Sequence, residues 1–392
     1  MNSVITSQQQ QTETLLSLPA ELKAQLPLSP QLAEQIAGQR QTIQNILEGK
    51  DHRLMVITGP CSIHDEASAL EYAEKLKQLQ AQISDQIFLV MRAYIEKPRT
   101  TVGWKGFLYD PALDGSSNMQ LGLQKSRELY LKIIGMGLPI ASEILSPMAT
   151  AYFDDLLAWG AIGARTSESQ IHREISSHMP YSIGFKNGTD GSIQIALDAI
   201  QSASHPHQFL GMSQSGLPCV LNSKGNPKAH LILRGSNSGP NYQLSEIEKI
   251  KAKHSAELPA LVIDCSHGNS SKNPMLQPEV LEQIVAERLQ TNVRGVMLES
   301  HLVDGNQKIS DDMVYGQSVT DGCLGWTKTE QLLLNMTDSL RLEGLKRSAY
   351  ICGHAFPQTV GGKAGVNATK RKTAYKVSIS TFTMLNIQNN NH

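Results

Sequence analysis

LMVITGPC, residues 54–61, is a run of β-forming apolar residues that closes on a turn and then on a cysteine. A run this short, apolar at every position and bounded by Gly59 and Pro60, reads as a strand buried on both faces. Seven more runs of the same kind follow. They are Ile87 to Met91 before Arg92, Leu138 to Ser142 before Glu143, Ala161 to Ala164 before Arg165, and Tyr181 to Phe185 before Lys186. Next come Ala229 to Leu233 before Arg234, Ala260 to Asp264 before His267, and Gly295 to Leu298 before Glu299. The stretches between them have the spacing of amphipathic helices. Eight buried parallel strands alternating with helices predict an α/β fold, a (β/α)8 TIM barrel. In that architecture the interior is packed with side chains and the site is built at the C-terminal ends of the strands, where each of these runs carries its chemistry.

The chain has 392 residues, 40% of them hydrophobic, and a formal net charge of -1. That suits one large domain with appendages. The near-neutral charge provides no footprint for nucleic acid, and no apolar run reaches the roughly 18 residues of a membrane span. The N-terminus has a Gln8 to Gln11 tract and lacks the basic-then-apolar order of a secretory signal, so a cytoplasmic protein is expected. The five cysteines are scattered without CxxC spacing, which indicates neither a disulfide framework nor a zinc knuckle.

Residues 1–52 read as an N-terminal arm, polar and mobile to about residue 15, with a helix from Gln31 to Leu47 opened by Pro30 and ended by Gly49. The catalytic barrel spans 53–346, its last helix covering about Glu330 to Leu345. An extra β-hairpin is expected between His205 and Leu221, turning at Gln214-Ser215-Gly216. The long loop from Glu96 to Gly115 has the length of a functional segment. Residues 347–392 lose periodicity, are locally basic and read as a flexible tail.

Cys61, His267 and Glu299 follow strands one, seven and eight, and Asp321 lies in the next loop. Strands eight and one are neighbours in a closed barrel, so these four residues can converge on one edge of the mouth as a metal site. A thiolate, an imidazole and two carboxylates suit one divalent ion, manganese, iron, cobalt or zinc, without selecting among them. On spacing alone Cys61 is also readable as a buried, inert thiol. Arg92, Lys97, Arg165, Lys186 and Arg234 point into the same mouth. Cations gathered this way require anions, so the ligand is expected to be multiply charged, and a small phosphorylated carboxylic acid fits. Arg99 and the Thr100 hydroxyl supply a second phosphate site in the long loop.

Taken together, GPCSIHD (59–65), KPRTTVGWKG (97–106), GARTSESQIHRE (163–174), GFKNGTDG (184–191), ILRG (232–235), DCSHGNSSK (264–272), ESHLVDGNQ (299–307) and SVTDGCLGW (318–326) resemble the type I 3-deoxy-D-arabino-heptulosonate 7-phosphate synthases. The resemblance implies condensation of phosphoenolpyruvate with erythrose 4-phosphate, the first step of the shikimate pathway. It implies that Cys61, His267, Glu299 and Asp321 bind the metal. Phosphoenolpyruvate would lie on Arg92, Lys97, Arg165, Lys186, Arg234 and the backbone amides around Ala164, and erythrose 4-phosphate on Arg99 and Thr100. Lys97 and Glu143, acting through water, are the candidates for proton movement. The resemblance also implies an aromatic amino acid effector held by the arm and the hairpin, with Ser146, Pro147, Ile175, Met179, Phe209, Gly211 and Leu221 as candidates. Gly211 and Pro147 resemble the tyrosine-sensitive branch, and a glycine at the pocket floor is expected to leave room for one more hydroxyl. Gly211 is alternatively a bulge in the hairpin. A homodimer or homotetramer is implied as well.

Overall fold

The computed structural model describes residues 13–254 and 258–351. In chain order its elements are α1 (Pro19–Gln25), α2 (Pro30–Leu47), β1 (Leu54–Gly59), α3 (Glu66–Ile83), β2 (Ile87–Arg92), α4 (Met119–Gly135), β3 (Ile140–Glu143), α5 (Thr150–Phe153) and β4 (Trp159–Ile162). Then come α6 (Gln170–His178), β5 (Ser182–Lys186), α7 (Gln194–Ser204), β6 (Gln208–Met212), β7 (Pro218–Asn222), β8 (His230–Leu233) and α8 (Leu244–His254). The chain continues with β9 (Leu261–Asp264), α9 (Gln277–Thr291), β10 (Val293–His301), β11 (Leu324–Gly325) and α10 (Trp326–Ile351).

Eight strands form a parallel ring in the order β1-β2-β3-β4-β5-β8-β9-β10, which β10 closes by pairing back onto β1. The expected (β/α)8 barrel is therefore present, and the hairpin β6–β7 stands outside it as a separate antiparallel pair. Several boundaries differ from expectation: the third strand begins at Ile140 rather than Leu138, and β10 runs Val293–His301 rather than Gly295 to Leu298. The fourth strand lies two residues earlier than Ala161 to Ala164, because Trp159 is drawn into register between Ala141 and Ser182 and the chain turns at Gly163. The last helix begins at Trp326 and runs to Ile351, so residues 347–351 of the expected tail are helical. The remainder of that tail, like residues 1–12 of the arm, lies outside the described residues.

Inward-facing Met55, Ile57, Val90, Trp159, Ala161, Ile232, Val262 and Met297 pack the barrel interior, and Ile43 and Ile46 of α2 join them. α2 touches β1, β5 and β10, strands on different sides of the ring, and so crosses its N-terminal opening. Ser29 caps this helix by accepting from Leu32 N at 3.3 Å, with Pro30 at its first position. Ile43 and Ile46 are fully buried, each contributing about 1.5–3 kcal/mol by leaving water. With that end plugged, the C-terminal mouth is where a ligand has access.

A candidate metal and phosphate site at the barrel mouth

The Cys61 sulfur and carboxylate oxygens of Glu299 and Asp321 lie within 4.8 Å of one another. Three distant segments bring them there. Cys61 follows β1, and Glu299 is on β10, its backbone locked by Gln277, which donates from Nε2 to Glu299 O at 2.9 Å and accepts from Glu299 N at 2.8 Å. Asp321 arrives on the loop after β10, tied down where Gly305 and Cys323 exchange backbone hydrogen bonds and where Ser62 meets Thr320 at 2.8 Å. The short β11 then returns this loop to β10. Burial and the adjacent Glu299 carboxylate push the Cys61 thiol up to about 11.

The Lys97 ammonium is 2.9 Å from Cys61 Sγ and 2.7 Å from Asp321 Oδ2. Burial opposes its charge, but Cys61 and Asp321 hold its pKa above the usual lysine value. Asp321, despite its own partial burial, is held well below the carboxylate range by Lys97. A cluster that draws in an ammonium this closely is built for a cation, and its thiol and carboxylates suit a divalent one. The expected fourth ligand, His267, lies outside the 4.8 Å group, with a left-handed φ of 55°. Its Nδ1 is 2.9 Å from Asp264 Oδ2 and 2.7 Å from Ser266 Oγ, which leaves Nε2 available, as in histidines whose other ring nitrogen is oriented by a carboxylate.

The other expected cations divide into two kinds. Arg92 donates to Pro60 O, Cys61 O and Glu299 Oε1, and Lys186 donates to Asp264 Oδ2 at 2.8 Å. Burial alone would raise the Asp264 pKa, yet Lys186 and His267 bring it well below the usual range. Among the described residues, the side chains of Arg165 and Arg234 have no hydrogen-bond or ion-pair partner, and the Ala164 and Arg165 amides have no acceptor. The two arginines sense each other's charge. Free guanidinium groups and free amides together are the donor set of an anion cradle.

Glu143 reaches the same mouth, where Oε1 is buried without a partner. Gly163 lies directly beside it, so that a Cβ there would press on that oxygen and move the carboxylate. Arg99 and Thr100 are exposed on the long loop. The loop's base is held by Lys97 N donating to Lys105 O at 2.8 Å and Leu108 N to Ile95 O at 3.0 Å. At Gly106, φ is +113° and a Cβ would meet Ile95 O at 2.4 Å, so only glycine allows this crossing.

The expected effector residues lie on α6 and its C-cap, on the hairpin and at the turn after β3. Ile175, Met179 and Phe209 are buried, Leu221 packs against the same cluster, and the turn Pro147–Ala149 that follows Ser146 contacts α6 and β6. The arm reaches the hairpin where Ala20 N donates to Gln214 O at 2.9 Å. The room expected beside Gly211 is taken by Leu221, whose Cδ1 would stand 2.3 Å from a Cβ at that position.

Several contributors were not expected. Asp264 closes a strand in the sequence pattern, and in the structure it orients Lys186, Ser266 and His267. Its position one step before Cys265 in DCSHG was the available signal. Tyr94 continues the inward alternation of Val90 and Arg92, and this period of two was the signal for it. Glu96 is buried and accepts from Tyr109 Oη and Ser146 N, each at 3.2 Å.

The fold is a (β/α)8 barrel whose mouth sets a group that could hold a metal ion beside arginines that are unpaired among the described residues. A family model described as DAHP synthetase I family matches residues 25–334, and the chain belongs to that family. It is 48% identical over 335 residues to the Tyr-sensitive phospho-2-dehydro-3-deoxyheptonate aldolase of Escherichia coli K12, covering 84% of this chain and 94% of that relative. The Phe-sensitive aldolase of the same organism is 44% identical over 329 residues, covering 82% of this chain and 94% of that protein. A solved structure of the aldolase from Francisella tularensis SCHU S4 superposes with a TM-score of 0.82 at 44% identity, over 84% of this chain and 98% of that one. Among the described residues, no helix is long and apolar enough to cross a membrane.

Proposed function

We propose that this chain condenses phosphoenolpyruvate with erythrose 4-phosphate and water to 3-deoxy-D-arabino-heptulosonate 7-phosphate and phosphate. The observation that carries this reading is the unpartnered cradle of Arg165, Arg234 and the Ala164 and Arg165 amides, set in one mouth with the Cys61, Glu299 and Asp321 cluster. The cradle takes the phosphate of phosphoenolpyruvate. Arg92 and Lys186, each anchored by a buried carboxylate, hold its carboxylate and fix C3 toward the aldehyde. Arg99 and Thr100 take the phosphate of the sugar. Cys61, Glu299 and Asp321, with His267 Nε2 as the fourth donor, would hold a divalent ion, which when bound supplies Lewis acidity toward the aldehyde oxygen. Glu143 accepts the proton of the water that adds at C2, and phosphate leaves by C–O cleavage. Lys97 lies on the metal side of the mouth, so its charge serves the cation cluster and the substrate carboxylate next to it.

The effector is an aromatic amino acid, and tyrosine is favoured by Gly211, by Pro147 and by the higher identity to the Tyr-sensitive relative. With Leu221 filling the space at Gly211, the tyrosine hydroxyl is accommodated by movement of that side chain. Exposed Leu210, Leu217 and Val220 on the hairpin support assembly as a homodimer or homotetramer. The test is consumption of phosphoenolpyruvate by purified protein with erythrose 4-phosphate, run with manganese, with chelator, and with each aromatic amino acid in turn. Turnover that chelator abolishes and tyrosine alone depresses is the expected result. Absence of turnover with every divalent metal, from folded protein, overturns the reading.

A further inference from the structure

Tyr94 stands two residues beyond Arg92 on the inward face, and the Arg92 guanidinium carbon lies 3.8 Å from the centroid of its ring. The guanidinium is thus pressed against the ring face, an arrangement that fixes its plane. Since Nε and Nη2 of Arg92 are taken by Pro60, Cys61 and Glu299, Nη1 remains, buried and without a partner. The Tyr94 hydroxyl is also buried and unpartnered, and so is Glu143 Oε1. The residue is 2% exposed, and the charges that act on its phenol are those of Arg92, Glu143, Asp264 and Glu299. This places the hydroxyl in the floor of the mouth. A buried hydroxyl with no partner costs about 1–3 kcal/mol, and a phenylalanine would fill the same ring space without that cost. The hydroxyl is therefore explained by something it holds.

We propose that Tyr94 is a positioning residue for the condensation. Its ring fixes Arg92 with Nη1 directed at the substrate anion, and its hydroxyl donates to the water whose proton Glu143 Oε1 accepts. This rests on the phosphoenolpyruvate reading given above. The C2–C3 π pair forms the bond to the aldehyde carbon, and the aldehyde carbonyl pair becomes an alkoxide. The water oxygen bonds to C2 while one of its O–H bonds breaks toward Glu143, and a proton taken up by the alkoxide balances that transfer. The C2 hydroxyl of the resulting adduct then loses its proton as phosphate departs with the C–O pair. With one lone pair of the water engaged by Tyr94 and one hydrogen by Glu143, the remaining lone pair is directed at C2.

The test compares wild type, Tyr94→Phe and Tyr94→Leu with manganese and both substrates. Tyr94→Phe keeps the ring, so kcat falls on the order of 10- to 100-fold while the KM for phosphoenolpyruvate stays within about twofold. Tyr94→Leu also frees Arg92, and that KM rises by roughly tenfold as well. A structural role alone would not separate kcat from KM in this way. Wild-type kcat in Tyr94→Phe overturns the proposal, and so does a loss expressed in KM alone. A wild type that does not turn over overturns the functional reading, and the proposal with it. Should the variants fail to fold by circular dichroism, a crystal structure of wild type with manganese and phosphoenolpyruvate decides. A water hydrogen-bonded to both Tyr94 Oη and Glu143 Oε1 upholds the proposal, and its absence overturns it.

Discussion

The two sides of the barrel mouth treat their cations differently. On the side formed by β10, β1 and β2, the cations nearest the thiol end on acids: Arg92 on Glu299 and Lys97 on Asp321. On the side formed by β4 and β8, Arg165 and Arg234 end on none among the described residues. Lys186, on β5 between these two strands, is met by Asp264 of β9. Both sides are rich in charge, so charge alone does not separate them. The first side has acids in reserve and a thiol, which is the chemistry of a cation site. Around Arg165, Arg234 and the Ala164 and Arg165 amides the second has donors only, which is the chemistry of an anion site.

Removing Cys61 strikes the first side alone. Cys61→Ala is expected to lower turnover by roughly a thousandfold or more, through loss of the Lewis acid. Bound metal, measured on protein dialysed against manganese, should fall below one ion per chain. Phosphoenolpyruvate affinity, measured by calorimetry, should persist because the cradle is intact. A variant that retains metal, or one that loses phosphoenolpyruvate as well, would break the division of the mouth into two sides.

Much of this division was legible in the sequence, for physical reasons. A strand buried on both faces needs an unbroken apolar run, and a barrel puts its polar residues at strand ends, so local pattern reported both the eight strands and their functional termini. Pairing is not local. Nothing around Arg92 announces Glu299, 207 positions away, and nothing near Lys97 announces Asp321. Whether a cation is neutralised or free is thus a product of closure. β4 was displaced for a related reason, since its register is set by the flanking strands rather than by its own apolar residues. Asp264, Gln277 and Tyr94 act on other functional residues, and their single letters resemble ordinary strand and helix content.

Glu96 sharpens the comparison, because it is a buried acid with no cation bonded to it. Burial pushes it up to about 7, with Tyr109 and Ser146 as its hydrogen-bond donors and Glu143 adding to the rise. The unfolded chain gives up this proton near pH 4.3 and the folded chain near 7, so the folded state binds more protons in between. Stability therefore falls as pH rises through that window, by about 4 kcal/mol, and is level above it. Urea unfolding of wild type and Glu96→Gln between pH 5 and 8 checks this. The variant should lack that portion of the slope, and an unchanged slope would mean that Glu96 is ionised in the fold.

The smallest effect tests the second side directly. Arg234 is 8% exposed. Burial lowers its pKa from the usual guanidinium value, with Asp264 opposing and Arg165 assisting. In the absence of an anion it is therefore a charge held against its preference, whereas the charge of Arg92 is paired with Glu299 whether or not substrate is bound. Arg234→Ala should weaken phosphoenolpyruvate binding by about 2 kcal/mol, roughly 30-fold, the range for a hydrogen bond to a charged group. The same substitution relieves repulsion with Arg165 and should leave the melting temperature of the unliganded protein unchanged or slightly raised. Phosphoenolpyruvate should raise the melting temperature of wild type by mass action and raise that of Arg234→Ala much less. If Arg234→Ala instead melts lower without ligand and keeps its affinity, the arginine is a structural ion on the pattern of Arg92, and the contrast between the two sides fails at the residue that defines it.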